Sequence, residues 1–223
     1  MKSWRLFIGF MAIMLYAGCN GEIIEPESVD ADYNITYYSK PPHSKESQGY
    51  LIAKGNEENQ FINLIANEEP SYSLMIIVSN KKGQEALDFI KEKEDSPIKS
   101  INDLNPSQTG MPKSYLVETT KYFQSRNFFV SETYRLEDSS SFNINVLPYI
   151  TVKMNTGQDI ETLEEKYKGN IKLVQDNEDG TFLFSCNMKT SYEVLMLTID
   201  IFTMIEVAWA EASMTGPKPS TNK

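Results

Sequence analysis

VLPYITVKMNTGQDIETLEEKYKGNIKLVQDNEDGTFLFSCNMKTSYEVLMLTIDIFTMIEVAWAEA, residues 146–212, decides the fold. Val146 to Lys153 reads as a strand, and Gly157 to Lys168 as a helix, because Ile160, Leu163 and Tyr167 form an apolar stripe after Asp159. Asn170 to Gln175 and Thr181 to Asn187 read as two strands joined by the turn cluster Asn177 to Gly180. Ser191 is an N-cap candidate for a helix to Phe202, with Val194, Leu195, Leu197, Thr198, Ile201 and Phe202 making a wide apolar face. Glu206 to Ala212 reads as a closing strand with Val207 and Trp209 on one side and Ala208 and Ala210 on the other. The order is β-α-β-β-α-β, the split-βαβ or ferredoxin-like plan.

Upstream, Asn127 to Leu136 alternates like a strand and returns through the polar stretch Glu137 to Ser141 into Phe142 to Lys153. A long hairpin is therefore expected to join the two halves of the chain. Leu74-Met75-Ile76-Ile77-Val78 is a continuous apolar run bounded by Pro70 and Gly83, which predicts a buried strand. Gly83 to Lys93 follows as an amphipathic helix with Ala86, Leu87 and Ile90 on one face. Tyr33 to Ser39 reads as a strand ending at Pro41-Pro42, with Tyr50 to Ala53 as a candidate partner. Phe61, Leu64 and Ile65 place a helix over Glu57 to Ala66; Ser96 to Lys113, with Pro97, Pro106, Gly110 and Pro112, reads mostly as loop; Tyr115 to Thr119 reads as a strand. The expected fold is α+β in two packed lobes. A smaller α/β lobe spans 33–126, a ferredoxin-like domain 127–213, and a polar tail 214–223.

The 223 residues are 40% hydrophobic and 23% charged, an ordinary globular composition, and a formal net charge of −10 makes nucleic acid a poor partner. Lys2 and Arg5 precede the apolar stretch Leu6 to Leu15, which is too short to span a bilayer and has the form of a signal peptide. Tyr16-Ala17-Gly18-Cys19 then resembles a bacterial lipobox, with Leu15 one step before the position where that pattern places its leucine. On this reading residues 1–19 are a lipoprotein leader and Cys19 is the lipidated anchor to the envelope, as an outer-membrane lipoprotein. The competing reading is plain secretion with Cys19 paired to Cys186. Residues 20–32, with Glu22, Glu25, Glu27, Asp30 and Asp32, read as a flexible acidic tether.

Catalytic chemistry finds little support. The single histidine, His43, lies among Pro, Ser and Lys in a loop, and no G-x-S-x-G elbow is present. No His/Cys cluster has metal spacing, no Gly-rich phosphate loop occurs, and Asp176 to Asp179 lacks the twelve-residue calcium pattern and reads as a solvated turn. Glu161, Glu164 and Glu165 sit beside Lys166 and Lys168 on a solvated helix face. Cys186 reads as a small core residue rather than a nucleophile. The expectation is a non-enzyme with no cofactor and no small-molecule substrate, acting through protein contacts.

Tyr149-Ile150-Thr151-Val152-Lys153-Met154 followed by Asp159-Ile160-Glu161-Thr162-Leu163-Glu164 resembles the opening of the prodomains that precede some Bacteroides-type subtilisin-like (S8) peptidases. Thr181 to Cys186 is similar to their central strand, and Ile205-Glu206-Val207-Ala208-Trp209-Ala210-Glu211 to their closing stretch, where Pro-Asp is expected and Ala212-Ser213 stands. The resemblance covers residues 127–212 and implies a module that binds, inhibits or helps to fold a secreted subtilisin-like protease. It also implies a cleft-binding segment from Glu211 through Ala212, Ser213, Met214 and Thr215 to Gly216, whose removal is expected to leave the fold intact. Trp209 has two readings, an interface residue or, preferred, a cover for the second helix in the core. The alternative function is a cell-surface adhesion or assembly protein with no protease partner.

Overall fold

A computed structural model describes residues 24–42, 48–53, 59–66, 72–105, 112–136 and 139–215. Its elements are β1 (Ser28–Asp30), β2 (Ile35–Tyr38), β3 (Gln48–Ala53), β4 (Asn59–Ala66), β5 (Tyr72–Val78), α1 (Lys81–Glu92), β6 (Ile98–Asp103), β7 (Lys113–Thr119) and β8 (Tyr122–Ser125). They continue as β9 (Phe129–Leu136), β10 (Ser139–Met154), α2 (Glu161–Lys166), β11 (Ile171–Asp176), β12 (Thr181–Cys186), α3 (Ser191–Phe202) and β13 (Val207–Thr215). The protein is mixed α/β, built mostly of antiparallel sheet with few helices.

The larger sheet runs β11-β12-β10-β9-β5-β7-β6, with β13 on the other edge of β10 and the β3–β4 hairpin joined through β4 to β9. A separate sheet, β1-β2-β8, completes the strands among the described residues. β5 lies inside the large sheet, between β7 and β9. Its Leu74, Ile76 and Val78 enter one core with Ala86, Leu87 and Ile90 of α1 and with Ile35, Tyr122 and Phe123 of the small sheet. Met75 and Ile77 enter the other core, with α2, α3, β10 and β13. Covered on both faces, β5 has no place for a polar residue, hence its unbroken apolar run. α1 starts close against the β8–β9 turn: a Cβ on Gly83 would stand 2.5 Å from the Asn127 carbonyl oxygen, so the site takes glycine.

β10 serves two partners along one edge. Its Ile144 and Asn145 pair with Tyr134 and Thr133 of β9, and its Tyr149 to Lys153 pair with Ser185 to Thr181 of β12. β13 follows its opposite edge from Asn145↔Thr215 to Met154↔Val207. The sheet thus runs unbroken through the spans 33–126 and 127–213.

Several sequence expectations change. Glu57 to Ala66 is not a helix: Asn59 to Ala66 is the strand β4, paired with β3 and β9, because pairing on two sides overrides a short apolar spacing that fits either period. β2 pairs with β1 and β8, not with the stretch Tyr50 to Ala53, which pairs with β4. The tether is not wholly free: Ser28 to Asp30 forms β1, Lys121 Nζ lies 2.8 Å from Glu27, and Lys93 Nζ lies 3.4 Å from Asp30. The loop from Ser96 to Lys113 contains the strand β6, sheltered between Pro97 and Pro106 in sequence. α2 is shorter than read, since Gly157 turns at φ 80° and Asp159 receives the Glu161 N–H at 3.0 Å. The cap of α3 is Thr190, one residue earlier than read, in a capping box with Glu193.

Candidate functional site

The strands β10 to β13 place a patterned surface on one side of the sheet. On β10, Ile150, Val152 and Met154 point into the core under α2 and α3. Their partners on β13 are Ala212, Ala210 and Val207, also in the core. Thr151 faces Glu211, and Lys153 faces Trp209, on the opposite side. Between Trp209 and Val207 the register slips by one residue, because Lys153 pairs with Trp209 while Met154 pairs with Val207. A bulge at Ala208 therefore puts Val207 and Ala210 on the same face and turns Trp209 away from both.

This overturns two sequence readings. Val207 and Trp209 are not on one side of the strand, and Trp209 is not a core residue covering the second helix. Strict alternation predicts the shared side; the bulge breaks the alternation at the one position that matters.

Beyond Trp209, the surface continues through the cross-strand rows. Glu211, Thr151 and Leu183 make one row; Trp209, Lys153 and Thr181 a second; Tyr149, Ser185 and Lys172 a third. Trp209, Tyr149 and Leu183 are half-buried, and Val174 at the sheet edge is 54% exposed. Both α2 and α3 pack on the other side. Aromatic and aliphatic bodies thus stand among charged and hydroxyl groups on this face. Lys153 extends to the carbonyl of Asp179 in the exposed β11–β12 turn, and Thr181 N–H donates to Asp179 Oδ1 at 2.8 Å. That bonding, with the Thr181 hydroxyl first, holds the Asp179 carboxyl below its ordinary pKa.

The segment expected to lie free for a cleft is instead built into the sheet. Glu211 to Thr215 belongs to β13; Ala212 is 1% exposed, Met214 packs on the core, and Asn145 N–H donates to Thr215 Oγ1 at 3.2 Å. Glu211 and Ser213 alternate onto the Trp209 side. The polar tail therefore does not begin at Met214, and removing Glu211 onward would strip Ala212 and Met214 from the core rather than leave the fold intact. Cys19, Gly216 and His43 lie outside the described residues. Cys186 packs against the core as read, and burial pushes its thiol up to about 12, far from a nucleophile's range.

Tyr149 and Leu183 were not singled out in the sequence. The available signal was the period-2 pattern of Tyr149 to Met154 and Thr181 to Cys186, whose off-core positions are these residues. No protein-family model, curated protein or solved structure matches this chain.

Proposed function

We propose that this chain is a non-catalytic envelope lipoprotein, anchored through Cys19, whose C-terminal unit is a ferredoxin-like, propeptide-type domain that binds a secreted subtilisin-like protease. The order β13-β10-β12-β11, with every neighbouring pair antiparallel and α2 and α3 on one face, supports this reading. The observation that carries the binding role is the Trp209–Tyr149–Leu183 surface on the side of the sheet away from both helices. Because Glu211 to Thr215 is held in β13, contact through the sheet face replaces the free cleft segment as the binding mode.

The test is affinity for a panel of subtilisin-like proteases, measured with residues 20–223 and with the Trp209→Ala variant. Binding that weakens at least about tenfold on truncating Trp209, as an interface anchor requires, supports the reading. Equal affinity of the two proteins removes the sheet face from the interaction. No binding to any protease, with retention of a cell-surface protein instead, moves the function to adhesion or assembly.

A further inference from the structure

The chain enters the fold as a strap along the outer edge of β2, and this contact carries an inference independent of any protease partner. Ser28, Val29 and Asp30 pair with Tyr37, Thr36 and Ile35, and Glu27 N–H donates to the Tyr37 carbonyl at 2.9 Å. Among the described residues β1 pairs with no other strand, and Ser28 and Val29 are exposed. Beyond the ladder, Ile24 packs against the small-sheet core, and two lysines pin the strap. Lys121 Nζ lies 2.8 Å from Glu27, and Lys93 Nζ lies 3.4 Å from Asp30. All four of these side chains are partly open to water, where an ion pair contributes little.

The hold changes at Tyr33. Its ring stacks on Phe89 of α1 with centroids 4.3 Å apart, and its carbonyl receives Ser125 Oγ at 3.1 Å and Asn127 Nδ2 at 2.8 Å. Ile35, two residues on, is fully buried. Before Tyr33 the chain is held by a short ladder and exposed ion pairs; after it, by the core.

One group beside the strap works against closure. Tyr37 Oη is buried and has no hydrogen-bond partner among the described residues. The strap bears on this residue in two ways. The Tyr37 backbone pairs with Ser28 and receives the Glu27 N–H. Lys93, held by Asp30, sits over the Tyr37 ring with Nζ 5.2 Å from the centroid. Burial raises the phenol pKa, and the Lys93 ammonium offsets this only in part. A buried hydroxyl without a partner carries its full desolvation cost.

We propose that residues 24–32 form a releasable latch: closed, they cover the β2 edge and seal the Tyr37 hydroxyl from water, and open, they peel away as far as Tyr33 while the rest of the fold stays intact. Opening removes Asp30 from Lys93 and lets water reach the phenol. It also leaves β2 with an unpaired edge and adds up to ~30 Å of extended chain before the fold. Weak pins on one side and a hydroxyl that gains a partner on the other keep the two states close in free energy.

The experiment is native-state hydrogen exchange by NMR on the full chain and on Tyr37→Phe. It compares the Glu27 amide, bonded to the Tyr37 carbonyl, with the Val130 amide, bonded to the Lys189 carbonyl at 2.8 Å. In the parent protein Glu27 should be protected, but at least about a hundredfold less than Val130, through an opening with little urea dependence. Tyr37→Phe deletes the unpaired hydroxyl and keeps the ring, so it should raise Glu27 protection at least about fivefold. A gain confined to Val130 would mean that the hydroxyl stays buried when the strap lifts, and overturns the latch. So does a Glu27 amide that is unprotected in the parent, or one that exchanges only through global unfolding with the urea dependence of Val130.

Discussion

β5 and β13 belong to the same sheet but answer to different surroundings. β5 lies between β7 and β9, with α1 and the small sheet on one face and the core of α2 and α3 on the other. Its sequence is apolar without interruption from Leu74 to Val78. β13 pairs along β10 and buries Val207, Ala210 and Ala212, while Trp209 and Glu211 face away. Its sequence alternates, and a bulge decides where the alternation breaks. The comparison teaches that an apolar run reports how many faces a strand has covered, whereas the identity of an outward residue depends on local register.

Mutations can break that comparison. Ile76→Ala removes a fully buried side chain from a strand with no open face and should cost about 2–5 kcal/mol in chemical denaturation. A loss below about 1 kcal/mol would mean that the β5 core can collapse around the gap and is not doubly covered. Thr190→Ala removes the cap that receives Glu193 N–H at 3.3 Å, and should cost about 1 kcal/mol by the same measurement. Trp209→Ala should change the unfolding free energy least, by less than about 1 kcal/mol, since the indole lies outside both cores. A loss comparable to that of Ile76→Ala would return Trp209 to the core and remove the outward face from β13.

Where periodicity was long or bounded, the sequence was legible. Leu74 to Val78, the β9–β10 hairpin, and the succession from β10 to β13 all follow from runs, stripes and turn residues. The misreadings share a physical cause: pairing with distant strands. β4 carries a spacing compatible with a helix and is fixed as a strand by β3 and β9. β6 sits in a proline-bounded stretch and owes its form to β7, while β1 is a three-residue strand within an acidic stretch, held by β2. The candidate surface was half legible. Trp209 was noticed for its residue type, but its direction required the slip between Lys153 and Met154.

The 16-residue strand β10 also governs the order in which the molecule can be assembled. One edge of it is closed by β13, with Asn145 bonded to Thr215 across 70 positions of chain. During synthesis, β10 emerges well before that partner exists, and this edge is not fully paired until Thr215 has been made. Such distant pairing requires closure of a long loop before it is rewarded, which slows folding and prolongs the time an open edge can meet another chain. The late arrival of β13 is then a hazard for aggregation.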